Sequence, residues 1–307
     1  MPGDADKQAD RRRRRTGLLL MIVGMTALGL FPSGARLAYA GGGTPETVAV
    51  VRHLFTLLFV ILLVPADGGG GMRRTLAMPR RLLPAAAVLG VVLAVYSWAY
   101  IAAVSYIPVS LAVLLLYTFP AQVVLMTTLL GMERASPVRL FAFALAFAGV
   151  ALAVGVNGGA PDPRGIALGL LAAFGLALIT VLAARMTGMP DRRAATVCFV
   201  LVAAVLTAAV VLFGPGFTFP ATAQSWGGLV FAGAAAGFGV TLYFVALPML
   251  GPLRAALLSN LEPVVATAGA ILILDERPGV TQFAGIALVL GAIALIQFSD
   301  RPGKGDR

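Results

Sequence analysis

Tyr100, Pro120, Glu133 and Arg134 recur 143 positions later as Tyr243, Pro263, Glu276 and Arg277. A constant offset carried through two long apolar stretches means that the chain is built twice from one unit. Neither unit suits water. With 59% hydrophobic and 12% charged residues, the chain carries more apolar surface than a soluble domain of 307 residues can bury. Apolar runs near the ~20 residues that cross a ~30 Å hydrocarbon core begin around Gly17, Val48, Leu82, Val109, Arg139, Gly165, Ala194, Gly227, Ala255 and Gln282. This predicts an all-α integral membrane protein of ten transmembrane helices, with the lipid bilayer as its solvent. The segments between the runs are short and rich in Gly, Pro and Arg, which leaves no room for a soluble domain.

The charges follow the same plan. With a cytoplasmic N-terminus, ten spans put 19 of the 23 basic residues inside; Arg36, Arg164 and Arg277 fall outside and Arg52 lies within a span. The positive-inside rule therefore places both termini in the cytoplasm. A net charge of +10 is thus explained by topology and calls for no nucleic-acid partner. Arg11 to Arg15, the run from Leu18 to Phe31 and Ala38-Tyr39-Ala40 together imitate a secretory signal. Removing that segment would leave four helices against five, so it reads as helix 1. Cys198 is the only cysteine, which excludes an intramolecular disulfide and leaves it the role of a small apolar residue. Abundant Ala, Gly and Arg with only two lysines point to a GC-rich bacterial genome, hence to a bacterial inner membrane.

Five helices per unit is an odd number, so the second unit enters the membrane from the opposite side and the two repeats are inverted. A basic tail covers residues 1–15 and the first repeat residues 16–157. The linker at 158–163, Gly-Gly-Ala-Pro-Asp-Pro, has loop composition and is extracytoplasmic. The second repeat covers residues 164–298 and a short cytoplasmic tail residues 299–307. Inverted halves can exchange inward-open and outward-open shapes around a midplane site.

Leu253 to Ile296 contains Ser259-Asn260-Leu261-Glu262-Pro263-Val264-Val265, then Asp275-Glu276-Arg277 and Gly285-Ile286-Ala287-Leu288-Val289-Leu290-Gly291. This stretch resembles the C-terminal part of an EamA-like repeat of the drug/metabolite transporter superfamily. Val109 to Val154 resembles the same pattern, with Phe119-Pro120 in place of Glu262-Pro263. The resemblance is strongest in helices 4, 5, 9 and 10. It implies ten helices, a central cavity between the halves, and export or exchange of small metabolites without ATP.

The residues carry a reading of their own. Pro120 and Pro263 cannot donate to the carbonyls four positions back, so those of Leu116 and Ser259 lose their helical partners near mid-span. Free backbone acceptors at that depth are tolerated where they face protein or a water-filled cavity. The two breaks either line a substrate cavity or only shape packing. Tyr117 and Asn260 occupy equivalent positions beside them, and Gln122 follows on helix 4.

Glu262 lies eight residues beyond Arg254, which places it ~12 Å into the membrane at ~1.5 Å per residue. A charge there costs ~2.5–3.5 kcal/mol on insertion scales, so the carboxyl must be protonated, paired or beside water. It can bind a cationic substrate group, carry a coupled proton, or lock the repeat interface through a hydrogen bond. Ser259 shares its helix face. On helix 2, Arg52 can hold a substrate carboxylate bidentately or reach the surface along its apolar stem. Its neighbour His53, the single histidine, can shuttle a proton or simply pack, and one histidine cannot build an imidazole metal site.

Tyr96, Trp98 and Tyr100 on helix 3 and Tyr243 on helix 8 are either cavity walls or interfacial anchors. Tyr100 and Tyr243 lie near span ends and read as anchors, whereas Tyr96 and Trp98 are deeper candidates for the cavity. GxxxG spacings at Gly165 to Gly169 and Gly233 to Gly237 predict close helix packing. Glu133-Arg134 and Glu276-Arg277 lie at helix ends and read as interfacial ion pairs or caps. The sequence has no GxxxxGK[ST] phosphate loop, no HExxH and no hydrolytic triad, so neither a cofactor nor a metal is expected.

The expectation is a secondary-active exporter of small organic metabolites such as amino acids, with a small-molecule substrate and protons as a coupling option. An uncoupled facilitator or exchanger is the alternative in transport, and a membrane enzyme or sensor the alternative outside it.

Overall fold

The computed structural model describes residues 4–63, 83–132, 136–154, 161–185, 201–205, 207–209, 218–250 and 258–299. Among these every regular element is a helix. In chain order they are α1 (Asp4–Ala40), α2 (Pro45–Leu63), α3 (Leu83–Tyr106), α4 (Val109–Leu116), α5 (Phe119–Leu129), α6 (Pro137–Val154), α7 (Pro163–Arg185), α8 (Ala223–Leu250), α9 (Leu261–Leu274) and α10 (Val280–Ser299). Proline opens α2, α6 and α7, where its missing N–H is no loss.

Among the described residues, six stretches are long and apolar enough to cross a membrane: Arg11–Ala40, Pro45–Leu62, Ala87–Tyr106, Val109–Leu129, Pro163–Leu182 and Ala223–Leu247. The fourth joins α4 and α5 into one crossing. Leu140–Ala153, Leu261–Leu274 and Val280–Leu295 are shorter apolar helices. The expected span beginning near Ala194, with Cys198, lies largely outside the described residues, as do Glu133, Arg134 and Arg254.

Packing exchanges under the 143-residue offset, which carries α1 onto α7, α3 onto α8, α5 onto α9 and α6 onto α10. Helix α1 packs on α8 and α9, while α7 packs on α3 and on α4 and α5. The pairs α6 with α10 and α4 with α9 join the two units directly.

One end of the bundle is tied by polar contacts that also fix chain direction. The Arg36 guanidinium donates to the Val104 carbonyl, and the Tyr39 hydroxyl to that of Ile101 at 2.8 Å. Thr47 Oγ1 donates to the Thr218 carbonyl at 2.8 Å, and the Ala221 amide to that of Gly41 at 2.8 Å. Arg164 stacks 5.0 Å from the Tyr106 ring centre and pairs with Asp162 at 3.1 Å, holding the Asp162 carboxyl below its ordinary range.

The Glu276 carboxylate reaches across from the α9–α10 turn to the start of α4. It accepts from the backbone amides of Val109 at 2.7 Å and Ser110 at 3.2 Å, and from Ser110 Oγ at 2.8 Å. Gln282 Nε2 completes the set by donating to Ser110 Oγ at 2.7 Å. The expected cap at Glu276 is therefore real, but it caps a helix of the other unit. Asp275 in the left-handed conformation, φ 53°, ends α9 and turns Glu276 toward α4. Helices α1, α3 and α9 thus end where α2, α4, α7, α8 and α10 begin. Offset-related helices run in opposite directions.

Glycines let these helices meet backbone to backbone. A Cβ on Gly285 would lie 2.5 Å from the Gly149 carbonyl oxygen, and one on Gly239 2.6 Å from that of Gly24. The two expected GxxxG faces behave alike: Gly165 and Gly169 lie against Ile107 and Leu115, and Gly233 and Gly237 against Phe55. At Gly237 an added Cβ would fall 2.5 Å from the Phe55 carbonyl carbon and 2.6 Å from the Thr56 nitrogen. Backbone cannot move aside cheaply. Gly237→Ala should therefore lower stability in detergent by about 1–3 kcal/mol, the usual range for overpacking. Gly227→Ala, where nothing lies within 4 Å, should leave the melting midpoint unchanged or raise it.

Candidate functional site

The fourth crossing is broken between Leu116 and Phe119, with Tyr117 and Thr118 in the turn; the corresponding break in the second unit lies at Asn260, just before α9. Pro120 and Pro263 sit in the first turns of α5 and α9, where the sequence places the freed carbonyls of Leu116 and Ser259. The second of these has a partner. The Tyr117 hydroxyl lies 3.0 Å from the Ser259 carbonyl oxygen and 3.0 Å from Glu262 Oε2.

A phenol has one hydrogen and here faces two acceptors. With Glu262 ionised, the carboxylate and the Ser259 carbonyl compete for the one hydrogen of Tyr117. With Glu262 protonated, its hydroxyl can donate to the Tyr117 oxygen while Tyr117 donates to Ser259. All three groups are then satisfied. Helix α1 holds this corner from behind, since a Cβ on Gly29 would lie 2.7 Å from the Glu262 carbonyl oxygen. A small cavity lined by Ser110, Val113, Tyr117, Pro263, Thr267 and Val289 lies beside it.

Helix α2 brings the cation. Leu54, Leu58 and Leu62 form an exposed stripe at i, i+4 and i+8, which turns Arg52, His53, Thr56 and Val60 inward. Arg52 is 7% exposed and does not snorkel. Its guanidinium lies 4.7 Å from the Phe31 ring centre and 5.7 Å from that of Tyr96. The Tyr100 ring packs 6.1 Å from Phe31, its hydroxyl within electrostatic reach of Glu262, Tyr96 and Arg52. Arg52 and Glu262 also feel each other's charge.

The structure thus gathers Phe31, Arg52, Tyr96, Tyr100, Tyr117, Ser259 and Glu262. Other expected members stand apart. Trp98 lies two positions from both Tyr96 and Tyr100, on the opposite face of α3; it is 37% exposed and donates to Glu46 Oε1 at 3.0 Å. It is therefore no cavity wall. Tyr100, expected as an anchor, is 2% exposed and belongs to the cluster, because its ring covers Phe31 instead of reaching the interface. Gln122 donates to Thr118 Oγ1 at 3.2 Å, within the break of its own crossing. His53 is buried, and among the described residues no hydrogen bond joins it to Glu262. Asn260 contributes the turn, and Ser259 its carbonyl oxygen.

A profile of the EamA-like transporter family matches residues 15–155 and 163–298. The chain belongs to the EamA-like transporter family. It is therefore a multi-pass membrane transporter of the drug/metabolite transporter superfamily, and the family profile covers it twice. No curated protein matches the sequence. A protein known from its crystal structure superposes with a TM-score of 0.60 at 23% identity, over 92% of this chain and 99% of that one, which shows a shared fold.

Within this EamA-like transporter, Tyr117→Phe removes the hydrogen that serves the broken helix. A net hydrogen bond contributes about 0.5–1.5 kcal/mol, so the variant should unfold earlier in detergent by that amount. Tyr106→Phe, at an exposed position outside the cluster, should unfold with the wild type; equal midpoints for all three proteins would contradict the role of the phenol.

Proposed function

We propose that this transporter is secondary-active and works by alternating access between two inverted five-helix halves, ten spans in all, in a bacterial inner membrane with both termini cytoplasmic. Its cargo is a small organic metabolite such as an amino acid or a related compound, moved outward in exchange for protons. The observation that carries this reading is the single Tyr117 hydrogen placed between the Ser259 carbonyl and Glu262. Loading a proton onto Glu262 releases the Tyr117 hydrogen to the Ser259 carbonyl, and losing it makes the carboxylate compete for that same hydrogen. The protonation state therefore biases a bond that joins the two halves at a broken helix, and broken helices at the repeat interface form the site around which the halves rock in transporters built from inverted repeats.

Flux in proteoliposomes tests this reading with amino acids, sugars, nucleosides and cationic dyes, with and without an imposed pH gradient. Wild type should show gradient-driven flux, and Glu262→Gln should lose the response to the gradient. Flux that follows the gradient equally in the glutamine variant would remove Glu262 from coupling. Flux of no solute through correctly folded wild type would overturn secondary transport itself.

Alternating access also requires one end to be held shut, and Glu276 supports that assignment because it ties the α9–α10 turn to the start of α4. Hydrogen bonds to a charged group contribute about 1.5–3 kcal/mol, and about 1.4 kcal/mol is a tenfold change in an equilibrium. Glu276→Ala should thus favour opening at that end by about tenfold or more. In a Cys198→Ala background, Val113→Cys should then react several-fold faster with a membrane-impermeant maleimide. An unchanged rate would contradict Glu276 as the tie.

A further inference from the structure

Proton loading at Glu262 makes no use of Arg52. A guanidinium that is 7% exposed needs acceptors for its five N–H groups, yet Arg52 Nη1 has none. Among the described residues Arg52 also forms no ion pair within 4.0 Å, so the Glu262 carboxylate does not close on it. Phe31 and Tyr96 cover the guanidinium at 4.7 and 5.7 Å from their ring centres. Ring faces stabilise the charge but leave the in-plane N–H edge unfilled, and that edge binds a carboxylate through two parallel hydrogen bonds. Tyr100 adds a second vacant donor: its hydroxyl is buried, without a hydrogen-bond partner, and within electrostatic reach of Arg52.

We propose that Arg52 and Tyr100 form a carboxylate-binding subsite, and that the transported solute is a small molecule carrying a carboxylate at one end and a hydrogen-bond donor at the other. The donor end meets Glu262, whose carboxyl is in contact with the Tyr117 hydroxyl and keeps further acceptor capacity. A solute placed this way competes with the proton for Glu262, which is what exchange of solute for protons requires. The proposal rests on the transport reading, since the cluster is closed in this structure and only an opening bundle admits a solute. Phe31 and Tyr96 hold the guanidinium in orientation, so Arg52 acts as a fixed fork and a lysine cannot replace it in full.

The test uses the full-length protein in detergent and in proteoliposomes, with a panel of α-amino acids and α-hydroxy acids, each beside its methyl ester. The ester keeps the side chain and removes the carboxylate charge. At least one acid should raise the melting midpoint of the wild type while its ester does not. Arg52→Gln should weaken that binding by about tenfold or more, as expected for losing charge-assisted hydrogen bonds, and Arg52→Lys should recover part of it. Esters that bind as well as their acids, binding unchanged in Arg52→Gln, or no stabilisation by any acid would overturn the subsite. The ester comparison needs only wild type, so it decides the matter even if Arg52→Gln fails to fold. Transport of sugars, nucleosides or dyes without carboxylate binding would overturn the subsite and leave transport standing, whereas carboxylate binding without any flux would do the reverse.

Discussion

The site depends on one backbone carbonyl. In hydrocarbon an unpartnered peptide group costs several kcal/mol, so a helix cannot be broken at membrane depth unless another element supplies the missing bond. Pro263 accompanies the break just before α9, at Ser259, and Tyr117, from the break between α4 and α5 in the other half, supplies a bond at 3.0 Å. The rest follows from that substitution. A proline exchanges a bond that moves with its own helix for one that spans two halves, and any relative movement of the halves must break or remake it. Glu262 stands at the same hydroxyl, so the one proton that can be gained or lost there also decides how the break is satisfied.

Movement also needs smooth surfaces. Gly24 and Gly239, Gly34 and Gly228, and Gly149 and Gly285 meet across interfaces where a single Cβ would come within 2.5–3.1 Å of the facing carbonyl oxygen. Such contacts have no side-chain knobs to lift out of holes, so one helix can shift on another without repacking a core. Most of these contacts join α1 to α8 and α6 to α10, which are pairs drawn from different halves. The sequence therefore places its smallest residues between the two units and its bulky leucines on surfaces such as the exposed face of α2.

What could be read from the sequence was whatever a single residue imposes on its own segment. Pro120 and Pro263 announce breaks, an acidic residue deep in an apolar run announces a site, and a recurring offset announces two halves. Where a side chain points was harder to read. Trp98 and Tyr100 lie two positions apart in the same helix, and only the register of α3 against α1 and α2 sends one to Glu46 and the other to Phe31. Phe31 carries no signal at all, because it gains its role from a cation on another helix. Glu276 was legible as a cap, but its client lies 167 residues away, and local patterns do not specify contacts of that range.

The two acidic residues of the second half show how the fold separates fastening from function. Glu276 has its oxygens filled by three donors at the first turn of α4, where amides without helical partners and the helix dipole both favour a carboxylate. Nothing remains there for a ligand to do. Glu262 touches one hydroxyl that is already shared, and the cation near it does not close the pair. Closing that pair would satisfy both charges and hold the halves in one arrangement, since a buried ion pair costs several kcal/mol to separate once formed. Keeping Arg52 between two aromatic rings and out of contact with Glu262 leaves each charge short of partners in the closed bundle. On the proposed reading, those two groups are where a proton and a solute carboxylate would each find a partner.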